Sequence, residues 1–212
     1  KFNWDKANIL LQQTDIRKKK EIERALTNGI DHFGKINSQI NNSGVSVFDN
    51  WSNRSEEDFD FVTDVNLKGT FFCMQVFMSH CIKSKSSGSI VNIASHYGLI
   101  SPDPRIYTDY KSRNSEVYGA TKAGVIQMTK YFSANALADG AKIRVNAVAP
   151  GGIKNQQNLQ GKDFQKRYGE RCPMGRLAET SEIVGPALFL LSEDASYITG
   201  HTLVVDGGMT AW

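Results

Sequence analysis

Apolar residues fall into two kinds of stretch along this chain. Short, β-branched runs at residues 9–11, 89–93, 143–148 and 202–205 have the length and character of strands buried on both faces. Between them, residues 19–33, 55–64, 67–83, 118–138 and 181–191 carry apolar positions at helical spacing, each long enough to cover one face of a sheet. Gly140 offers a stop for the fourth helix. Strands alternating with crossover helices predict an α/β protein, a doubly wound, Rossmann-like parallel sheet with helices on both faces. No repeat, low-complexity stretch or linker interrupts the pattern, so residues 1–212 are expected to form a single domain. In such sheets ligands bind beyond the carboxyl ends of the strands, and chemistry is sought there.

Composition narrows the choice. The chain has 25 basic and 22 acidic residues, a net charge of +3, and its one basic run, Arg17 to Lys20, is followed at once by Glu21 and Glu23. A solvated helix start explains that run, and no nucleic-acid partner is expected. Cys73, Cys81 and Cys172 lack metal-ligand spacing; neither a disulfide framework nor a metal site follows, and a reducing cytoplasm fits. No apolar run reaches the roughly 20 residues that cross a bilayer, so no membrane partner is expected.

Tyr118-Gly-Ala-Thr-Lys122 sets a phenol and an ammonium one helical turn apart. A phenol titrates near 10, and a fixed positive charge beside it favours the phenolate, which makes the pair a candidate for proton transfer. The same spacing also suits an ordinary amphipathic helix. Ser95 ends the strand Asn92-Ile-Ala-Ser95 with a hydroxyl able to bond a substrate oxygen. Asn66, in Asp64-Val-Asn66, either caps the following helix or presents its amide to the sheet.

Taken with Phe33-Gly-Lys-Ile-Asn37, Asn41-Asn-Ser-Gly44, Ile143-Arg-Val-Asn146, Pro150-Gly151 and Val205-Asp-Gly-Gly208, these pieces resemble, in order, the short-chain dehydrogenase/reductase family. The resemblance implies a nicotinamide cofactor, NAD or NADP, and the catalytic set Asn66, Ser95, Tyr118 and Lys122. Tyr118 would exchange the substrate hydroxyl proton, Ser95 would hold the substrate oxygen, and Lys122 would lower the Tyr118 pKa and hold the nicotinamide ribose. Asn66 would support, through its carbonyl, a proton-relaying water. Cofactor contacts carried over in the same way are Asp15 and Ile16 near the adenine, Asn42, Ser43 and Gly44 along the ribose, Tyr118 and Lys122, and Pro150, Gly151, Ile153 and Asn155 over the nicotinamide. His96, Arg105, Gly152 and Tyr168 are expected at the substrate. A symmetric homotetramer built on helices 67–83 and 118–138 is also implied.

Two departures from the family matter. No glycine-rich strand-to-helix turn of the kind that cradles a pyrophosphate precedes Asp15. The two absent strands lie in the middle of the family's sheet, which predicts that the natural protein carries a further N-terminal segment, the domain here being N-terminally incomplete. The connection at 99–117 is also unusually long, and with Arg105, Asp109, Lys111 and Arg113 it suits a polar, sugar-like substrate. Its Pro102-Asp-Pro-Arg-Ile-Tyr107 stretch, with Pro150-Gly-Gly-Ile153 and Gly208-Met-Thr-Ala-Trp212, resembles a bacterial subgroup linked to surface-sugar and flagellar-glycan biosynthesis. Residues 155–176 are expected to act as a lid. The rival readings are a 3-oxoacyl-thioester reductase and, from another class, a non-catalytic scaffold if the short N-terminus is natural.

Overall fold

The computed structural model describes residues 8–109, 113–154 and 161–212. Four parallel strands run side by side in the order of the chain: β1 (Ser38–Asn41), β2 (Ser87–Ile93), β3 (Lys142–Pro150) and β4 (Thr202–Val205). Helices α1 (Lys19–Phe33), α2 (Glu56–Thr63), α3 (Thr70–Ser84), α4 (Glu116–Asn135), α5 (Lys162–Arg171) and α6 (Ser181–Leu191) connect and flank them.

Alternation along the central strands decides which helix covers which face. Ile90 on β2 and Val145 on β3 point to one side, where they pack with Met74, Phe77 and Cys81 of α3, and Ala147 and Ala149 meet Val125 and Ile126 of α4 there. Val91 and Val148 point to the other side and meet Ile183, Ala187 and Leu190 of α6. A sheet buried on both faces is what continuous apolar strands require.

The strand register brings Asn41 beside Asn92, Ile93 beside Val148, and Pro150 beside Val205. The carboxyl ends therefore fall along one edge, and the segments after each strand gather there. Buried polar side chains fix that register. Asn92 is fully buried, accepts from the Asn41 amide at 2.7 Å and donates to the Thr129 hydroxyl at 2.9 Å. Arg144 donates to the carbonyls of Leu190, Leu191, Ser192 and Ile198, which satisfies the orphan acceptors at the end of α6.

Differences from expectation have local causes. Residues 9–11 form no strand; Leu11 is 90% exposed, and the neighbouring Gln12 instead bonds Ala25 and Asn28 of α1. A strand needs a ladder partner, and β1 pairs only with β2 among the described residues. Ser55 caps α2 rather than starting it, accepting from Asp58, and Ser115 caps α4 three residues before Tyr118, accepting its N–H. The expected helix 67–83 is preceded by a π-helical turn at Asp64–Gly69, a form common near functional sites. Helix α5 lies inside the segment expected as a lid.

Candidate active site

Ser95 stands just past β2, and its Oγ accepts the Tyr97 N–H at 3.1 Å, which caps the short turn His96–Gly98. Tyr118 rides the first turn of α4, its phenol near enough to the Ser95 hydroxyl to be influenced by it. One turn on, Lys122 is only 4% exposed and lies with its Nζ 5.6 Å from the Tyr118 ring centre. The ammonium donates to the Ile93 carbonyl at 2.7 Å. Three of the predicted groups thus converge beyond β2.

Asn66 brings in the segment after β1. Its Oδ1 accepts the Val45 N–H at 2.8 Å, and its Nδ2 donates to the Val45 carbonyl at 2.9 Å and to Thr121 Oγ1 at 3.2 Å. The amide is therefore presented to the sheet, not used as a helix cap, and its own carbonyl accepts the Thr70 hydroxyl. Gly44 lies against the same group: a Cβ there would sit 3.4 Å from Lys122 Nζ and 3.5 Å from Asn66 Oδ1. Absence of a side chain lets this backbone approach the lysine closely. Asn42, Ser43 and Gly44 stay exposed, as a ligand-contacting edge requires.

Burial pushes the Tyr118 phenol above its ordinary value, and the nearby Ser95 hydroxyl pulls it back only in part. The Lys122 ammonium donates to the Ile93 carbonyl and not to the phenol. Burial also lowers Lys122, to about 8, since the interior disfavours the charged form. Tyr118 is thus a protonated acid at neutral pH, with an ammonium near its own titration range alongside.

On the far side, Pro150, Gly151, Gly152 and Ile153 follow β3. His96 is 3% exposed with Nδ1 3.1 Å from the Pro150 carbonyl, so Nδ1 carries the proton, and burial holds the ring neutral. Tyr168 of α5 is 1% exposed, and its hydroxyl accepts the Gly152 N–H at 2.6 Å. A Cβ at Gly152 would come within 2.6 Å of Leu177 and 2.8 Å of Tyr168, so only glycine fits beneath α5. His96 and Tyr168 were expected at the substrate; both are instead sealed inside and shape the turn after β3. Arg105 is exposed and forks onto Asp103. Asp15 forks with Arg17, which holds its carboxyl down near 2, while Ile16 packs against Gly69. Asn155 and Lys111 lie outside the described residues.

The long connection is less polar than its sequence suggests. Ile106 and Tyr107 are buried with Tyr168, Cys172, Leu177 and Met209. The Tyr107 hydroxyl pairs with that of Tyr97 and accepts from the Asn114 backbone, which pins the connection to the turn after Ser95. Sequence reasoning missed this pair, since no spacing rule links residues ten apart in a loop. Arg171 of α5 reaches Asp103 at 3.0 Å, so the connection and the expected lid are one tethered wall. Among the described residues no group of side chains could hold a metal, and no helix is long and apolar enough to cross a membrane.

Comparison with known proteins agrees with this arrangement. Residues 4–210 match the family described as Enoyl-(Acyl carrier protein) reductase. Glucose 1-dehydrogenase 2 of Bacillus subtilis is 33% identical over 203 residues, covering 94% of this chain and 74% of that protein. The 3-oxoacyl-[acyl-carrier-protein] reductase FabG of Thermotoga maritima is 36% identical over 190 residues, 89% of this chain and 72% of that protein. A short chain dehydrogenase from Leptospira borgpetersenii, solved with bound NAD+, superposes with a TM-score of 0.85 at 37% identity, covering 94% of this chain and 74% of that one. With the sheet order, the convergent side chains and these likenesses together, the chain belongs to the short-chain dehydrogenase/reductase family of oxidoreductases.

Proposed function

We propose that this protein is an NAD- or NADP-dependent oxidoreductase that interconverts a secondary alcohol and a ketone on a polar, sugar-like compound, with Tyr118 as its general acid and base. The observation that carries the reading is the meeting of Ser95, Tyr118 and Lys122 beyond β2, with Asn66 clamping the Gly44 segment against the lysine. A bound nicotinamide supplies or accepts the hydride. The residues present fit such a group: the side-chain-free edge at Gly44 leaves room beside Lys122, and the exposed Asn42 and Ser43 offer polar contacts to a ribose. Asp15, Ile16, Pro150, Gly151 and Ile153, with Asn155, would complete the contacts.

In the reducing direction Tyr118 gives its proton to the substrate oxygen while Ser95 Oγ donates to the same oxygen and steadies its growing charge. Lys122, charged at neutral pH, keeps a positive field beside the resulting phenolate and favours its formation. In the oxidising direction the proton returns along the same path.

The FabG likeness keeps a 3-oxoacyl-thioester reductase as the second reading; the glucose dehydrogenase likeness favours sugars. The scaffold reading is disfavoured by Asn66, Ser95, Tyr118 and Lys122 standing together at the strand ends. A homotetramer through α3 and α4 is supported by Phe71 against Phe132 and by Tyr131, 60% exposed, and a cytoplasmic setting by three free thiols. The test follows NADH and NADPH absorbance against keto-sugars and acetoacetyl thioesters. Tyr118→Phe is expected to lose about a thousandfold in turnover while still binding cofactor; undiminished turnover would refute the assignment.

A further inference from the structure

Two loops, one after β1 and one after β2, meet at the start of α4, and between them lies a cleft of about 390 Å³. Asp49 and Trp51 line it from the first loop, Ser101, Arg113 and Asn114 from the second, and Glu116 from the start of α4, two residues before Tyr118. The loops are riveted together. Ser46 donates to Asn114 Oδ1 at 2.8 Å, and Arg54, whose side chain is 6% exposed, joins Glu116 at 3.0 Å and the Asp49 carbonyl at 3.3 Å. Through its backbone N–H, Asn114 also holds the Tyr107 phenol, which pairs with Tyr97 beside Ser95. This cleft is therefore built, and it is tied to the catalytic turn.

Its chemistry points to one ligand class. Trp51 is 71% exposed although the indole is the largest apolar group available for burial, and it offers a flat face at the cleft wall. Around it stand hydrogen-bonding groups with no surplus charge: Glu116 is answered by Arg54, and Asp49 and Arg113 offset each other. A phosphate would meet carboxylates there, and the apolar lining comes chiefly from the rings of Trp51 and Pro102. Carboxylate, amide and hydroxyl groups beside an aromatic face match a ring with hydroxyls at its rim and C–H groups on its face.

We propose that this cleft is a subsite for the part of the substrate remote from the reacting carbon, and that its ligand is an uncharged sugar ring stacked on Trp51. The proposal rests on the oxidoreductase reading of Tyr118, and its test is separable from that reading because binding is measured without turnover. Methyl glucoside and N-acetylglucosamine serve as probes, with glucose 6-phosphate and a butyryl pantetheine thioester as contrasts, followed by calorimetry and saturation-transfer NMR on the full chain. Neutral sugars are expected to bind, at least tenfold more weakly in Trp51→Ala and Asn114→Ala, with partial recovery in Trp51→Phe, and equally well in Tyr118→Phe. With a turned-over keto-sugar, Trp51→Ala is expected to raise KM at least tenfold while kcat falls less than threefold. An unchanged melting temperature shows that the exposed indole is dispensable for folding. Sugar affinity indifferent to Trp51 would overturn the proposal, as would Trp51-dependent binding that is tighter for the phosphate or the thioester, or dissociation of an oligomer in Trp51→Ala. If Tyr118→Phe keeps full turnover while sugars still need Trp51, the subsite stands and the assignment of Tyr118 falls.

Discussion

At the floor of the site Asn66, Ser95 and Lys122 are 1%, 7% and 4% exposed, and their polar atoms are held by main chain or by one another. At the wall formed by residues 99–109, 113–115 and α5, the corresponding ties are Asp103 with Arg105 and Arg171, groups that water reaches. Buried hydrogen bonds are costly to leave unmade, whereas exposed ion pairs contribute little and weaken with salt. The floor is thus fixed by desolvation, and the wall by packing of Ile106, Tyr107 and Tyr168 with charges as trim. Geometry needed for proton transfer sits in the first region, and the surfaces that choose a substrate sit in the second.

Substitutions can break that contrast. Ser95→Ala removes the hydroxyl that would bond the substrate oxygen and that influences the Tyr118 phenol; kcat is expected to fall about a hundredfold or more, read by steady-state kinetics. Lys122→Met should cost a comparable factor in turnover yet stabilise the fold. Folded Lys122 titrates at about 8 against an ordinary 10.5, and that difference corresponds to about 3 kcal/mol. Losing the bond to Ile93 gives back about 1, leaving about 2 kcal/mol in the variant's favour at neutral pH.

The sign follows from proton counting. Between about 8 and 10.5 the unfolded lysine holds a proton that the folded one has released, so the native chain gains stability relative to the variant as pH rises through that window. Below 8 both states are protonated and the penalty is constant. Denaturant midpoints of both chains from pH 7 to 10.5 check this, and a constant difference would show Lys122 to be solvated. The smallest effect is expected at the wall: Tyr168→Phe leaves the Gly152 N–H unpaired, costing about 1 kcal/mol and a few-fold in KM with kcat nearly kept. A large fall in kcat would place α5 within the floor.

Much of the floor was legible in sequence because it is local. Tyr118 and Lys122 share a helix turn, Ser95 ends a strand, and β2, β3 and β4 announce themselves by runs of β-branched residues. What escaped depends on pairing or on single long-range bonds. Residues 9–11 are apolar enough for a strand but find no ladder. Helix α5 carries six charged residues out of ten, and only Phe164 and Tyr168, one turn apart, betray its inward face. His96 and Tyr168 look like binding groups on paper, yet their hydrogen bonds run inward to Pro150 and Gly152. Spacing likewise places the Lys122 ammonium near Tyr118 but does not say which acceptor it chooses, here the Ile93 carbonyl.

Arg54 carries a consequence for how this site diversifies. Its guanidinium, buried between the two loops, is matched by Glu116 on one side and the Asp49 carbonyl on the other. A descendant that alters one loop alone strands a charge away from water, at a cost of several kcal/mol. New specificities are therefore reached by paired replacements across the cleft, and the inheritance of positions 54 and 116 is expected to be joint in any lineage that keeps both loops.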